Sequence, residues 1–202
     1  MTNEIEFNSF QKIARLSRDM VITEKLDGTN AQILINEHGI YAGSRNRWIT
    51  PTDDNYGFAA WVDEHSQELQ QLGPGRHFGE WWGKGINRGY GLSEKRFSLF
   101  NTRRWHAYGD TPKTYPTQDP RISTTTTELP QCCHLVPILY EGSFDTNYVN
   151  STLTLLGAIG SKAAPGFDDP EGVVVFHVAA NMLFKKTFKN DGMPKSKLGE
   201  IR

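Results

Sequence analysis

Between residues 21 and 44, three short runs of β-branched and apolar residues are separated by two turn-forming tetrads, and no other feature restricts the fold as much. Residues 21–25, 30–35 and 40–44 have the composition of strands. Leu26-Asp27-Gly28-Thr29 and Asn36-Glu37-His38-Gly39 punctuate them. Tight turns set consecutive strands side by side, so this stretch is predicted to be an antiparallel meander.

The rest of the chain extends the pattern. Phe58, Val62, His65, Leu69 and Leu72 recur at helical spacing until Gly73-Pro74 ends the run, which makes His65 a packed histidine of an apolar face. Strands are predicted over 76–82 and 96–102, joined by a glycine-rich loop over 83–91. Residues 103–130 are polar, contain four consecutive threonines, and read as a long surface loop. A strand over 135–140 precedes a helix that Asp145 caps and Gly160 ends, and residues 173–177 and 182–188 pair as a hairpin. Strands outnumber helices and follow one another through short turns, which makes the class α+β with mostly antiparallel sheets. Residues 1–202 are long enough to bury a core of their own and are expected to form one domain.

Charge and cysteine content remove several roles. Lys+Arg number 22 against 23 Asp+Glu, so any phosphate-binding surface must arise from local clustering. Cys132 and Cys133 are adjacent and match no disulfide framework or metal spacing. They read as two packed thiols in a reducing, cytoplasmic compartment. No apolar run approaches the roughly 20 residues that cross a bilayer, and residues 1–15 do not read as a signal peptide, so no membrane partner is expected.

Four segments carry groups suited to chemistry. Lys25 ends an apolar strand just before Asp27-Gly28; in a partly dry site such a lysine loses its proton and becomes a nucleophile, whereas on an open hairpin it is merely solvated. Glu80 sits among aromatic strand residues and needs a partner, either a pair of ribose hydroxyls or an ion pair with Arg76 or Lys84. Phe97 and Phe100 could stack on a flat base or simply fill a core. Glu171 and the lysines of residues 183–189 could serve a metal and a phosphate, or could be a strand-start acid and the charges of an edge strand.

In their order along the chain these segments resemble the covalent nucleotidyltransferase superfamily of ATP-dependent DNA ligases, RNA ligases and mRNA capping enzymes. Lys25-Leu26-Asp27-Gly28-Thr29-Asn30 looks like its KxDG motif, Gly43-Ser44-Arg45 like the arginine motif after it, and Phe78-Gly79-Glu80 like the third motif. Residues 97–101 resemble the next block, Glu171-Gly172-Val173-Val174 the fourth motif and Phe184-Lys185-Lys186 the fifth, so the likeness spans residues 24–189. Asn30 and the Gly79-Glu80-Trp81-Trp82-Gly83 block are most similar to the RNA ligase branch typified by phage RNA ligase two.

That resemblance implies an ATP-grasp-like nucleotidyltransferase fold of two mainly antiparallel sheets flanked by helices, with the nucleotide between the sheets. It implies an ATP-dependent RNA ligase that carries AMP on Lys25 and joins 5′-phosphate to 3′-hydroxyl RNA ends with Mg²⁺ or Mn²⁺. Under it, Lys185 offsets charge on the α-phosphate with Lys186 as helper, Glu171 holds the metal, and Glu80 accepts from the ribose. Phe100, or failing it Phe97, stacks on adenine; Arg45 contacts ribose or phosphate; Asn30 positions metal-bound water or the α-phosphate; Glu24 reads the base edge. Two positions depart from the pattern: Thr187 stands where a second lysine is often found, and Asn101 where many relatives have Asp. Only residues 190–202 follow the fifth motif, so a bare catalytic domain without an OB-fold is expected. Its RNA partners would be ends in a nicked duplex or a structured RNA, gripped weakly and salt-sensitively through Arg45, Arg47, residues 84–96, Arg103, Arg104 and residues 185–197, or with help from a protein partner. A minimal DNA ligase, a capping-type guanylyltransferase and a non-catalytic nucleotide- or RNA-binding module are the alternatives.

Overall fold

The computed structural model describes residues 7–105 and 129–192. Among the described residues ten strands form two sheets. The first, in the order β10-β9-β1-β8, joins Met182–Thr187, Gly172–His177, Asp19–Lys25 and Ile138–Ser143, each antiparallel to its neighbour. The second, β4-β3-β2-β5-β6-β7, joins Trp48–Ile49, Gly39–Gly43, Thr29–Asn36, Gly75–Gly83, Lys95–Leu99 and Cys133–Leu135; only its last pair is parallel. The class is therefore α+β with two mostly antiparallel sheets.

Strand periodicity decides where each sheet buries its apolar side. In the second sheet Ala31, Ile33, Ile35, Trp81, Phe97 and Leu99 point one way and pack against Phe58 and Val62 of α1 (Phe58–Glu64) and Leu69 of α2 (Ser66–Leu69). α3 (Thr102–Trp105) adds Trp105 to this core. In the first sheet Met20, Ile22, Val173 and Val175 pack against Val149 and Leu156 of α4 (Thr146–Ile159). A third cluster, Leu26, Trp82, Tyr90, Val136 and Ala164, draws on residues flanking both sheets and joins them. Each sheet thus has helices on one face, and the other faces are left for a site. Among the described residues no helix is long and apolar enough to cross a membrane.

Several local expectations are corrected. The meander is really a hairpin of β2 and β3; β1 belongs to the other sheet. The Leu26–Thr29 tetrad is not a hairpin turn because its backbone is taken elsewhere: Asp27 N donates to Tyr90 OH at 2.8 Å and Gly28 N to Glu80 Oε1 at 3.1 Å. The 58–72 helix breaks at His65, whose ring nitrogen bonds the Trp61 carbonyl at 2.9 Å and whose ring stacks on Trp61. The 135–140 strand is two strands: Val136 still donates to Leu99 O in one sheet, whereas Pro137 O already accepts from Glu24 N in the other. The strand over 96–102 stops at Leu99. Of the 103–130 loop, residues 103–105 lie in α3 and 106–128 fall outside the described residues. Asp145 does cap α4, accepting from Asn147 N, and Gly160 follows its end. Cys132 and Cys133 are free thiols 4.0 Å apart, and burial raises both pKa values, Cys132 to about 11.

Candidate active site

Lys25 is the last residue of β1, and alternation along the strand turns it to the face away from α4. Its Nζ lies 2.6 Å from Glu171 Oε2, with both side chains largely shielded from solvent. Glu171 reaches it because the next residue, Gly172, pairs with Lys25 across β1 and β9. Gly172 has φ 152° and packs tightly on β10; a Cβ there would strike the Lys186 carbonyl and come within 2.7 Å of Thr187 Cα. The buried carboxylate and the partly shielded ammonium satisfy each other, where either alone would be left unpaired in a partly dry site.

Glycine at position 28 is needed for a different reason. A Cβ would meet the Trp81 carbonyl and come 2.7 Å from Trp82 Cβ, so only glycine lets the chain pass this close to β5. The passage is gripped from the 83–91 loop. Asn87 Nδ2 donates to Asp27 Oδ1 at 3.1 Å and Gly28 O at 2.8 Å, and Arg88 Nε donates to Asp27 Oδ2 at 3.0 Å. Arg88 also bonds the backbone and carboxylate of Asp169, two residues before Glu171. Asn87 and Tyr90 have positive φ, 44° and 52°, a strained conformation for residues with a Cβ. That strain places their side chains on the Asp27 backbone and carboxylate.

Glu80, on β5, accepts from Gly28 N at 3.1 Å and Asn30 Nδ2 at 3.5 Å. Burial raises its pKa from 4.5 to about 7, partly opposed by the nearby Lys25 charge. The ion pair that Arg76 or Lys84 might have supplied does not form: Arg76 donates to Gln32 Oε1, and Lys84 is exposed. Asn30, Glu80 and Ser98 share one register row on the face opposite α1.

The same parity separates the other expected site residues. Lys185 pairs with Val174 and Val174 with Thr23, which puts it on the Lys25 side of its sheet. Lys186 points to the helix side, where its Nζ bonds Asn150 of α4 at 2.9 Å, so it is not placed to help Lys185. Thr187 is on the Lys25 side, its hydroxyl bonded to Lys189 O. Glu24 faces α4; its carboxylate accepts from Ser161 Oγ, Lys162 N and Ala163 N, which ties down the loop after α4 instead of meeting a base edge. Phe97 is fully buried beside Phe58 and Trp61 and cannot stack on a ligand. Phe100, 41% exposed, can. Arg45 is exposed at the tip of the β3–β4 turn. The residues missed from sequence were Asn87, Arg88 and Tyr90, whose only signal was a loop with glycine at 83, 85, 89 and 91.

Among the described residues no group of three or more His, Cys, Asp or Glu could hold a metal ion by itself. Mg²⁺ or Mn²⁺ asks less of a protein when phosphates complete its shell: one or two carboxylates supply hard oxygen donors. Glu171 fits that lesser demand.

A family model described as RNA ligase matches residues 18–190. Among solved structures, a Naegleria gruberi RNA ligase mutant in its apo form superposes with a TM-score of 0.56 at 18% identity, covering 85% of this chain and 50% of the other. A mutant of the same ligase with AMP and Mn gives the same values, and one with ATP and Mn gives a TM-score of 0.53 at 18% identity over 85% and 50%. At this identity the likeness concerns the fold, and this chain spans about half the length of those it matches. No curated protein matches the sequence.

Proposed function

The chain belongs to the RNA ligase family, and from that premise we propose that it is an ATP-dependent RNA ligase, a single adenylyltransferase domain that carries AMP on Lys25. The observation that carries this reading is the Lys25–Glu171 contact of 2.6 Å, with Lys185 on the same sheet face and Glu80 close enough to feel the lysine charge.

An ammonium is no nucleophile, so Lys25 must first lose a proton; the 2.6 Å contact of its Nζ with Glu171 Oε2 supports Glu171 as the acceptor in this reading. Nζ then attacks the α-phosphorus of ATP; the N–P bond forms as the bond to the bridging oxygen breaks, and pyrophosphate leaves with that electron pair. In the second step a 5′-phosphate oxygen attacks the same phosphorus, the N–P bond breaks and Nζ is reprotonated. In the third, a 3′-hydroxyl attacks the activated 5′-phosphorus, its proton is released and AMP departs. Lys185 offsets charge on the α-phosphate, Glu80 accepts from the ribose hydroxyls, Phe100 stacks on adenine, and Asn30 and Arg45 contact the phosphate side. A divalent cation, Mg²⁺ or Mn²⁺, held through Glu171 and the nucleotide's own oxygens, would neutralise charge on the triphosphate. The ends joined belong to RNA in a nicked duplex or a structured RNA, with a protein partner aiding their capture, and the free thiols of Cys132 and Cys133 suit a reducing, cytoplasmic setting.

The test is covalent labelling. Protein incubated with ATP labelled at the α-phosphate and Mg²⁺, then denatured, should retain label, and Lys25→Ala should not. Label that persists in Lys25→Ala overturns the assignment of the nucleophile. Labelling by GTP and not ATP would replace the ligase reading with a capping-type one.

A further inference from the structure

Beyond the candidate pocket, the sheet face that carries Glu80 continues into a row of exposed aromatic rings. Register aligns Trp48 with Gly43, Gly43 with Gln32 and Gln32 with Phe78. Trp48 is 47% exposed and Phe78 52%. They sit three strand spacings apart, about 14 Å, and Phe78 lies two residues along β5 from Glu80. The Trp48 ring lies across the sheet: a Cβ on Gly43 would come 3.1 Å from Trp48 Cε3. Arg76 holds its guanidinium 5.2 Å from the centre of that ring and donates to Gln32 between the two aromatics.

Packing does not explain these rings: the helices and the main core of this sheet are on its other face, and on this face the buried residues lie further along β5, at Glu80 and Trp82. Two rings about half open on the sheet face that carries the candidate site, with an arginine and an amide between them, suit a binding surface. The chemistry selects the partner. Flat rings interleaved with arginine and an amide suit unpaired bases, each of which offers a π-face, with a cation for the phosphates between them. Sequence-tolerant capture of single-stranded RNA works this way, whereas a paired duplex hides its base faces.

We propose that Trp48 and Phe78 form a stacking platform for unpaired bases of the RNA end that is delivered to Lys25. This rests on the ligase reading and deepens it: of the two RNA classes named there it selects a structured RNA with at least one unpaired end over a nick, whose two ends are both paired.

Trp48→Leu and Phe78→Leu keep apolar bulk and remove the ring; Trp48→Tyr and Phe78→Tyr restore a ring. Binding of a short fluorescent single-stranded RNA, and of the same strand annealed to its complement, is measured for each variant beside self-adenylylation by ATP. Each Leu substitution should weaken single-strand binding about tenfold, the Tyr counterpart should recover most of it, and duplex binding and self-adenylylation should stay at wild-type level. Single-strand affinity unchanged in the Leu double variant overturns the platform, including the case where that variant instead loses self-association or a protein contact. Equal loss for strand and duplex overturns it too. If Trp48→Leu melts early, Trp48→Gln replaces it, keeping polar bulk without a π-face. Should the wild type never self-adenylylate, the ligase reading falls, while ring-dependent single-strand binding would still uphold the platform.

Discussion

Glu80 is the residue at which stability and proposed function pull apart. Its carboxylate is buried and its pKa lies near 7, against 4.5 in an ordinary setting. The folded protein therefore holds a proton between these values that the unfolded chain has released. A carboxylate with a raised folded pKa contributes stability that is complete below about 4.5 and is lost as pH rises through about 7. The difference amounts to about 3 kcal/mol. Glu80→Gln keeps an acceptor for Gly28 N without the charge. Its melting temperature should match wild type near pH 4.5 and exceed it increasingly up to neutrality, levelling off above. Nucleotide binding should fall, because an amide offers one acceptor to two ribose hydroxyls. Thermal melts across pH decide it: parallel curves for the two proteins would mean that Glu80 is not buried as described.

Strand parity decides which side chains can share the candidate site. β10 sets Lys185 and Lys186 on opposite faces, one toward Lys25 and the other against Asn150. Removing Lys185 should lower the rate of self-adenylylation by about two orders of magnitude, whereas Lys186→Ala should stay within a few-fold of wild type; similar losses in both would show that β10 does not hold this register during reaction. Period-two alternation was already available in the sequence, and applied strictly it separates Lys186 from Lys185, Glu24 from Lys25 and Phe97 from Ser98. The resemblance to a family ranks residues by motif position and ignores which way they face, which is how Glu24 and Phe97 entered the expected site. The partition of β1 was beyond reach, because its partners, residues 138–143 and 172–177, are more than a hundred residues away and its link to β2 looks locally like a turn. The grip of Asn87, Arg88 and Tyr90 on Asp27 was equally hidden, since positive φ at Tyr90 is not announced by residue type and at Asn87 only weakly. By contrast, the cap and end of α4 and the β9–β10 hairpin depend on contacts within a few residues, and there local reading and structure agree.

For the molecule as a whole, the proposed function raises the question of how RNA would be gripped by a chain with a net charge of −1. The described cations expected to hold phosphates mostly have partners within the chain, many of them at its surface. Arg47 makes a bidentate pair with Asp53, Arg88 bridges Asp27 and Asp169, and Arg96 pairs with Glu94. Lys95 bonds Tyr56 O, Arg104 bonds Leu72 O, Lys186 bonds Asn150 and Lys189 pairs with Asp169. Counterion release scales with the number of phosphates neutralised, with a slope of about −0.7 per phosphate for single strands. If, among the described residues, phosphate is met by Arg45 and Lys84, which are exposed, and by Arg76, whose partners Gln32 and Trp48 belong to the platform itself, about three phosphates are met and the slope of log affinity against log salt should be about −2. Stacking on Trp48 and Phe78 depends little on salt, so binding should be weak yet persist from about 50 to 200 mM salt, where a protein making many phosphate contacts loses several orders of magnitude. This replaces the strong salt sensitivity expected from sequence, because most of those cations that the structure describes already have partners within the chain. Fluorescence anisotropy with a single-stranded RNA over that range measures the slope directly. A value of about −5 or steeper would mean that the intramolecular pairs open to bind phosphate, and the account of these cations as structural would fail.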